Sequence, residues 1–488
     1  MTINIYPLCY NKHIERGIPM DEFLRDIHTI IFKQWLLYQK ADFYDLYLNE
    51  KDQDVIIIEN EFCYSYITFN PQDIIELCVM NKITDEMEFY LHFQFKTLKH
   101  AISLFHEMTN CIKKIVNKPK CRILLCCSGG MTTEFFAQKI RDAIQILSLN
   151  IEVAAVGYQK LYQEGLNYDV ILLAPQVSYV SLQVEKVLKN QLVLKIPPQV
   201  FAKYNVGALI TFVDEALSQR ERKKTEYIEP LFSVVKLSTD KNILAVSINS
   251  NGDNSHISYR LYQYDQSIIL DSKIIKHHIS LQDVLDAIDT VLLQNEKVDV
   301  IGIALPGVIV DGFIHTGIID EMKNKKLTDI LEERYHKPVF IINDVNAAAV
   351  GYYASQKEHQ SLSMLFQPIN RMAGAAVIIN GQLIKGFGGL AGEVQLLPLQ
   401  LSDDYFRLAN TPEGTLELVT KQILSIIAIV SPEEIIIYSD LIFDSKDVER
   451  EIKKSLSGFH FHHFPHIIKI ENLVEYTLLG IMNLCIQG

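Results

Sequence analysis

From Asp21 to Tyr38 apolar and polar residues recur with helical spacing, and four strand-like runs follow, Val55 to Ile58, Tyr64 to Phe69, Ile74 to Val79 and Met87 to Phe95. A second helical pattern, Leu98 to Val116, closes this segment, so residues 1–118 are expected to form a small α+β domain. The rhythm then changes. Short apolar runs (Arg122 to Cys126, Ile151 to Ala155, Val170 to Leu173, Leu192 to Ile196) alternate with helical stretches (Thr133 to Leu147, Leu182 to Leu188). Such alternation predicts an open parallel sheet flanked by helices, here over residues 119–217. Residues 218–230, "SQRERKKTEYIEP", are charged and poor in apolar side chains and read as a linker. Over residues 231–488 strands return ("ILAVSI", "VDVIGIAL", "PVFIIND", "GAAVIIN", "EEIIIY") between helices, across enough chain for two lobes. The expected fold class is α/β multidomain.

Composition narrows the picture. A chain of 488 residues exceeds one compact core, and 48% hydrophobic with 22% charged residues is the balance of a folded globular protein. The formal net charge of −13 argues against a nucleic-acid backbone as main partner, although weak DNA contact through residues 1–118 stays open. No charged-then-apolar leader is visible and no apolar run approaches roughly 18 residues, so a cytoplasmic protein is expected. In that compartment its 8 cysteines, which fit no zinc spacing, would be reduced and mostly buried as small hydrophobes.

Cys127 is the exception. In "LLCCSGGMTTEFF" (Leu124 to Phe136) an apolar strand ends at Cys126–Cys127 and a helical pattern starts near Thr133. Between them Ser128, Gly129, Gly130, Met131, Thr132 and Thr133 form a turn in which the glycines permit backbone N–H groups to converge. Thr132 or Thr133 can cap the helix, whose positive end favours an anion and the Cys127 thiolate. A phosphoryl-accepting cysteine and a buried cysteine beside an ordinary turn both satisfy this geometry. The stretch "RILLCCSGGMTTEFFAQKI", with "YDVILLAPQVSYV" (Tyr168 to Val180) downstream, resembles the enzyme IIB domain of the lactose/cellobiose group of the sugar phosphotransferase system. The resemblance implies that Cys127, rather than Cys126, takes a phosphoryl group from a phosphohistidine on enzyme IIA, with Ser128 to Thr133 as the loop around it. Cys126 falls at an apolar position of the family's strand. A cysteine phosphatase would close this loop with an arginine, and none lies between Cys127 and Phe136.

Three later stretches, "VDVIGIALPGVIVDG" (Val298 to Gly312), "KPVFIINDVNAAAVGYY" (Lys337 to Tyr353) and "GAAVIINGQLIKGFGGLAGEVQLLPL" (Gly374 to Leu397), resemble in that order the ROK family of sugar kinases and sugar-responsive repressors. "IVSPEEIIIYSDLI" (Ile429 to Ile442) is similar to that family's late strand in the adenosine region. The resemblance implies a two-lobed actin/hexokinase-like fold over residues 231–488, with Asp344 at the position of the catalytic base and Asn343 and Glu393 as sugar-hydroxyl partners. The nucleotide side departs from the family. The first phosphate loop is replaced by Ser247, Asn249, Ser250 and Asn251, the second by Asn370, Arg371 and Met372, and the adenosine-side glycines by Tyr438 and Ser439. Leu396 stands for the family's histidine, and the cysteine-rich zinc loop is absent.

The resulting expectation is a sugar- or sugar-phosphate-binding module that no longer uses ATP, with no cofactor and no metal, coupled to a IIB-type phosphoryl acceptor as a carbohydrate-responsive regulator or sensor. Its expected partners are phosphorylated enzyme IIA, a sugar (a β-glucoside fits both resemblances) and a separate enzyme IIC, and a homo-oligomer is the expected assembly. An active ATP-dependent sugar kinase, or a IIB component serving a separate IIC, are the alternatives. His460, His462, His463 and His466 in "GFHFHHFPH" read as surface histidines before metal ligands.

Overall fold

The computed structural model describes residues 20–82, 86–117, 121–129, 131–147, 151–220, 239–251, 254–295, 297–356, 360–457 and 464–487. It begins with helix α1 (Met20–Leu37). Strands β1 (Asp45–Leu48), β2 (Val55–Glu59), β3 (Cys63–Asn70), β4 (Ile74–Asn81) and β5 (Met87–Gln94) form an antiparallel meander, each paired with the next. Helix α2 (Leu98–Asn117) turns Ala101, Leu104, Phe105, Met108, Ile112 and Ile115 inward, the three-and-four spacing of one helical face. Trp35 of α1 meets Phe105 edge-on with centroids 5.5 Å apart, and Phe32 lies 5.7 Å from Phe95.

Next come β6 (Cys121–Cys127), α3 (Met131–Leu147), β7 (Ile151–Gly157), β8 (Val170–Leu173), α4 (Ser181–Val187), β9 (Leu192–Lys195) and α5 (Val206–Arg220). The sheet order is β7-β6-β8-β9 and every pair is parallel. Its strands are runs of apolar residues because they are buried. Phe136 and Ile140 from α3 and Leu209 and Val213 from α5 join them in one core. Helix α5 continues to Arg220, so the first three residues of the expected linker are helical, and 221–230 lie outside the described residues.

The remaining chain runs through β10 (Ile243–Asn251), β11 (Asn254–Tyr262), β12 (Ile268–Lys276), α6 (Leu281–Gln294), β13 (Val300–Leu305), β14 (Ile309–Val310), β15 (Phe313–Ile314), β16 (Lys325–Lys326), α7 (Leu327–Tyr335), β17 (Val339–Asn343) and α8 (Asp344–Ser355). Strands β10, β13 and β17 are parallel neighbours. Then follow β18 (Leu362–Phe366), β19 (Gly374–Ile379), β20 (Gln382–Leu383), α9 (Pro412–Ile429), β21 (Glu434–Tyr438), α10 (Ser445–Ser455), β22 (His466–Lys469) and α11 (Leu473–Gln487). Their sheet has the order β20-β19-β18-β21-β22, antiparallel through β18 and parallel beyond it. Helices α8 and α11 pack closely because two glycines permit it. A Cβ at Gly351 would lie 1.9 Å from the Tyr476 carbonyl oxygen, and one at Gly480 would lie 1.8 Å from that of Ala347.

The chain divides into two compact units, and neither follows one stretch of sequence. Residues 1–118 group with 249–258 and 271–298, whereas 119–248 group with 259–270 and 299–488. Within the first unit β12 pairs antiparallel with β5 at Ile275↔Tyr90, and α6 packs on β5. Ion pairs fasten these late residues to α2 and its start. Lys276 reaches Asp283 at 2.6 Å and Glu107 at 2.7 Å, His100 Nε2 lies 2.8 Å from Asp286, and Lys96 pairs with Asp289. Burial would lower the Lys276 ammonium, but the Asp283 and Glu107 carboxylates outweigh it and hold its pKa above the usual lysine value. Among the described residues no helix is long and apolar enough to cross a membrane.

Candidate functional sites

Strand β6 is flanked on both sides, and its last two residues meet different surroundings. Cys126 pairs with Val156 on one side and Leu173 on the other, and its thiol is pushed up to about 12 by burial, with Cys127 adding to the rise. Cys127, one residue on, stands opposite Gly157 at the strand's end. It is 3% exposed, and its Sγ lies 3.2 Å from the Thr133 Oγ1, itself fully buried in the first turns of α3. Ser128 and Gly129 are exposed, and open space surrounds Gly129. Gly130 and the side chains of Met131 and Thr132 lie outside the described residues. The sulfur is thus held by a hydroxyl at a strand end whose turn opens to solvent. Thr133 as a partner of Cys127 was visible in the sequence only as a possible cap.

The second cluster is built on the junction of β17 and α8. Asn343 caps α8: its Oδ1 accepts from the Val345 and Asn346 amides, both at 3.0 Å, and its Nδ2 donates to the Gly307 carbonyl at 3.0 Å. Gly307 needs to be glycine, since at φ +132° a Cβ would stand 2.0 Å from the Thr316 carbonyl oxygen. Asp344 follows, 8% exposed, with Oδ1 accepting from Val345 N at 3.0 Å. Burial pushes its carboxyl up to about 6 against the lowering pull of these amides, and Glu393 adds to the rise. Glu393 is half-buried after Gly392, and its Oε2 accepts from Gln395 Nε2 at 2.7 Å. The structure therefore brings Asn343, Asp344 and Glu393 into one electrostatic neighbourhood.

At the positions where the ROK resemblance would place phosphate loops, the described side chains are engaged with the protein. Ser247 is buried in β10, Asn249 is half-buried, and the side chains of Ser250 and Asn251 lie outside the described residues. At the second loop Gln367 is buried, donates to the Pro368 and Arg371 carbonyls at 2.9 and 3.0 Å, and accepts from the Tyr405 hydroxyl at 2.8 Å. That hydroxyl also accepts from the Ala373 amide at 3.0 Å. Asn370 takes φ +54° and donates its own amide to Ala409. Two backbone donors of this turn, the Asn370 and Ala373 amides, are thus directed at protein groups. Tyr405 and Gln367 gave no signal in the sequence. Ser439 is buried beside Tyr438, and Leu396 is exposed. Among the described residues no three His, Cys, Asp or Glu side chains are placed to hold a metal; His460, His462 and His463 lie outside them, and His466 is exposed.

Residues 122–211 match the lactose/cellobiose-specific IIB subunit family of the phosphotransferase system, and residues 254–402 match the ROK family. Among curated relatives, a glucokinase of Halalkalibacterium halodurans is 33% identical over 118 residues, 23% of this chain and 36% of that protein. A xylose repressor of Bacillus subtilis is 28% identical over 145 residues, 29% of this chain and 37% of that protein. The chain thus spans about a third of the length of these relatives. A solved ROK family glucokinase from Streptomyces griseus, in complex with glucose and AMPPNP, is 16% identical with a TM-score of 0.41, covering 51% of this chain and 100% of that one. The protein joins a IIB domain of the lactose/cellobiose kind to a ROK-family domain within one chain.

Proposed function

We propose that this protein is a carbohydrate-responsive regulator in which Cys127 accepts a phosphoryl group from a phosphohistidine of enzyme IIA and the ROK domain binds a sugar without using ATP. The observation that carries the reading is Cys127 at the open end of the central strand of a parallel sheet, inside the segment that matches the IIB family. In the transfer the cysteine sulfur bonds to phosphorus as the P–N bond of phosphohistidine breaks, and the thiol proton ends on the released imidazole. The Thr133 hydroxyl can donate to the sulfur as charge develops, and the exposed Ser128–Gly129 turn admits the donor. Asn343 fixes the turn that presents Asp344, and Asp344 with Glu393 supplies acceptors for sugar hydroxyls. The fastening of residues 367–373 by Gln367 and Tyr405 favours binding without nucleotide.

The test is phosphoryl transfer from phosphorylated cellobiose-type IIA to the full chain, read by intact-mass spectrometry with Cys127→Ser as control. One added phosphoryl group, absent from the variant, is expected; no labelling of the unaltered chain defeats the reading. A kinase remains the second reading because Asp344 is retained and a glucokinase is among the relatives. Hexose-dependent conversion of ATP to ADP, lost in Asp344→Asn, would establish it, whereas calorimetric sugar binding without turnover supports the regulator.

A further inference from the structure

All strands of the IIB sheet are parallel, so the residues just past their C-terminal ends share the edge that carries Cys127. The IIB segment also meets the C-terminal part of the ROK segment inside one compact unit, at that edge through Tyr158 and elsewhere through α4 and its connection to β9. Tyr158, directly after the Gly157 that faces Cys127, donates its hydroxyl to the Glu413 carboxylate at 3.3 and 3.2 Å. Gln163 accepts from Asn410 Nδ2 at 3.2 Å, and the same amide reaches Asn370 Oδ1 at 3.1 Å. Leu441, in the loop after β21, is 2% exposed and belongs to the core of the IIB sheet, with Ile369 packed against it. Lys186 of α4 sits 5.7 Å above the Phe443 ring, and Lys189 is within electrostatic reach of Asp440. Three segments, 369–370, 410–413 and 440–443, thus form one seat. They adjoin the residues that replace the second phosphate loop and the adenosine-side glycines.

Charges of both signs meet at the seat, where Lys469 and Glu471 of the ROK side also act on Asp440. The ROK side offers the carboxylates Glu413 and Asp440, and the IIB side answers with a hydroxyl and lysines. We propose that this surface reads the state of Cys127: the IIB domain rests on it while position 127 is uncharged, and a phosphoryl dianion there, on the edge where Tyr158 holds Glu413, loosens the seat. The inference rests on Cys127 being the phosphoryl acceptor and names how that event reaches the ROK domain. The replaced nucleotide loops then serve as a receptor for the chain's own IIB domain.

The test separates the two ideas. Hydrogen exchange of the full chain is compared for Cys127→Ser, which adds no charge, Cys127→Asp, and Ser128→Glu, which puts a charge on the exposed turn without entering the core. Peptides covering 405–415 and 438–444 are expected to exchange roughly three- to tenfold faster in both charged variants, the size that repulsion between like charges within about one screening length can produce. Adding Glu413→Gln should restore most of the protection, while exchange in β8 stays unchanged throughout. Equal exchange at 405–415 in Ser128→Glu and Cys127→Ser overturns the inference, even where IIA labels Cys127. Faster exchange in the charged variants without any labelling by IIA leaves the seat standing and removes the phosphoryl acceptor.

Discussion

At the scale of single residues, Asp344 is held where folding alone would not place a carboxylate. Its folded pKa of about 6 lies above the ordinary 3.8, so between those values the folded chain binds more protons than the unfolded one. Stability from this group is therefore greatest at low pH and is lost as pH rises toward 6. Asp344→Asn should match the unaltered protein near pH 4 and exceed it by ~1–3 kcal/mol at pH 7.5, measured by urea unfolding across that range. Equal stability of the two at both pH values would contradict a buried carboxylate. A sugar whose hydroxyl donates to Asp344 is held more strongly by the ionised form, so its affinity should climb as pH rises through about 6, and titration calorimetry at pH 5 and pH 7 reads this directly. Cys126→Ala should keep phosphoryl labelling, since that thiol is buried and pushed up to about 12, whereas Cys127→Ser should abolish it. Spacing drew attention to Cys127 and to Asp344 at a strand end, and the two family resemblances assigned Cys127 its role and supplied Asn343 and Glu393. Both were silent on the engagement of Asn343 as a helix cap and of Thr133 with sulfur, because these depend on side-chain direction at a junction.

At the scale of elements, the glycine pair between α8 and α11 makes a sharp prediction. Gly480→Ala would put a methyl carbon 1.8 Å from the Ala347 carbonyl oxygen, so the helices must separate and lose their interdigitated contacts. A loss of ~2–4 kcal/mol in chemical unfolding is expected, while IIA labelling of Cys127 in the still-folded fraction should be unaffected. Gly392→Ala acts locally: at φ +92° its Cβ would lie 1.9 Å from the Ala375 carbonyl oxygen, displacing Glu393 and weakening sugar binding more than stability. The sequence was most legible where elements bury everything, as in β6, β8, β13 and β21, whose apolar runs lie within a residue or two of the observed strands. Strands β11, β12, β18 and β22 escaped. In β12 half-buried and exposed positions alternate over Ile268 to Lys273, but the side chains do not: apolar Ile268, Ile269 and Leu270 are followed by polar Asp271, Ser272 and Lys273, so the hydrophobic pattern does not mark a strand. Its pairing with β5 lies far outside any local pattern.

At the scale of the whole molecule, the α+β unit at the N-terminal end is assembled from separated pieces of sequence. Composition and motif divided the chain into three blocks, but the return of residues 249–258 and 271–298 to residues 1–118 left no mark in them, because only tertiary pairing records it. A fragment of residues 1–118 lacks the second partner of β5, the helix on its face, and the carboxylate or lysine partners of Glu107, His100 and Lys96. Such a fragment should show little cooperative unfolding by circular dichroism and should aggregate through its open edge; a sharp transition like that of the full chain would contradict the division.

The same interleaving has a temporal consequence. On the ribosome, the meander of β1 to β5 emerges early but cannot close until residue 298 has left the exit tunnel, roughly 10–40 s later at usual elongation rates. The strands and helices of the IIB segment, all made by Arg220, can form during that wait, before Leu441 joins their core. Synthesis therefore inverts the written order of the chain: the middle folds first, and the beginning is finished by what comes near the end.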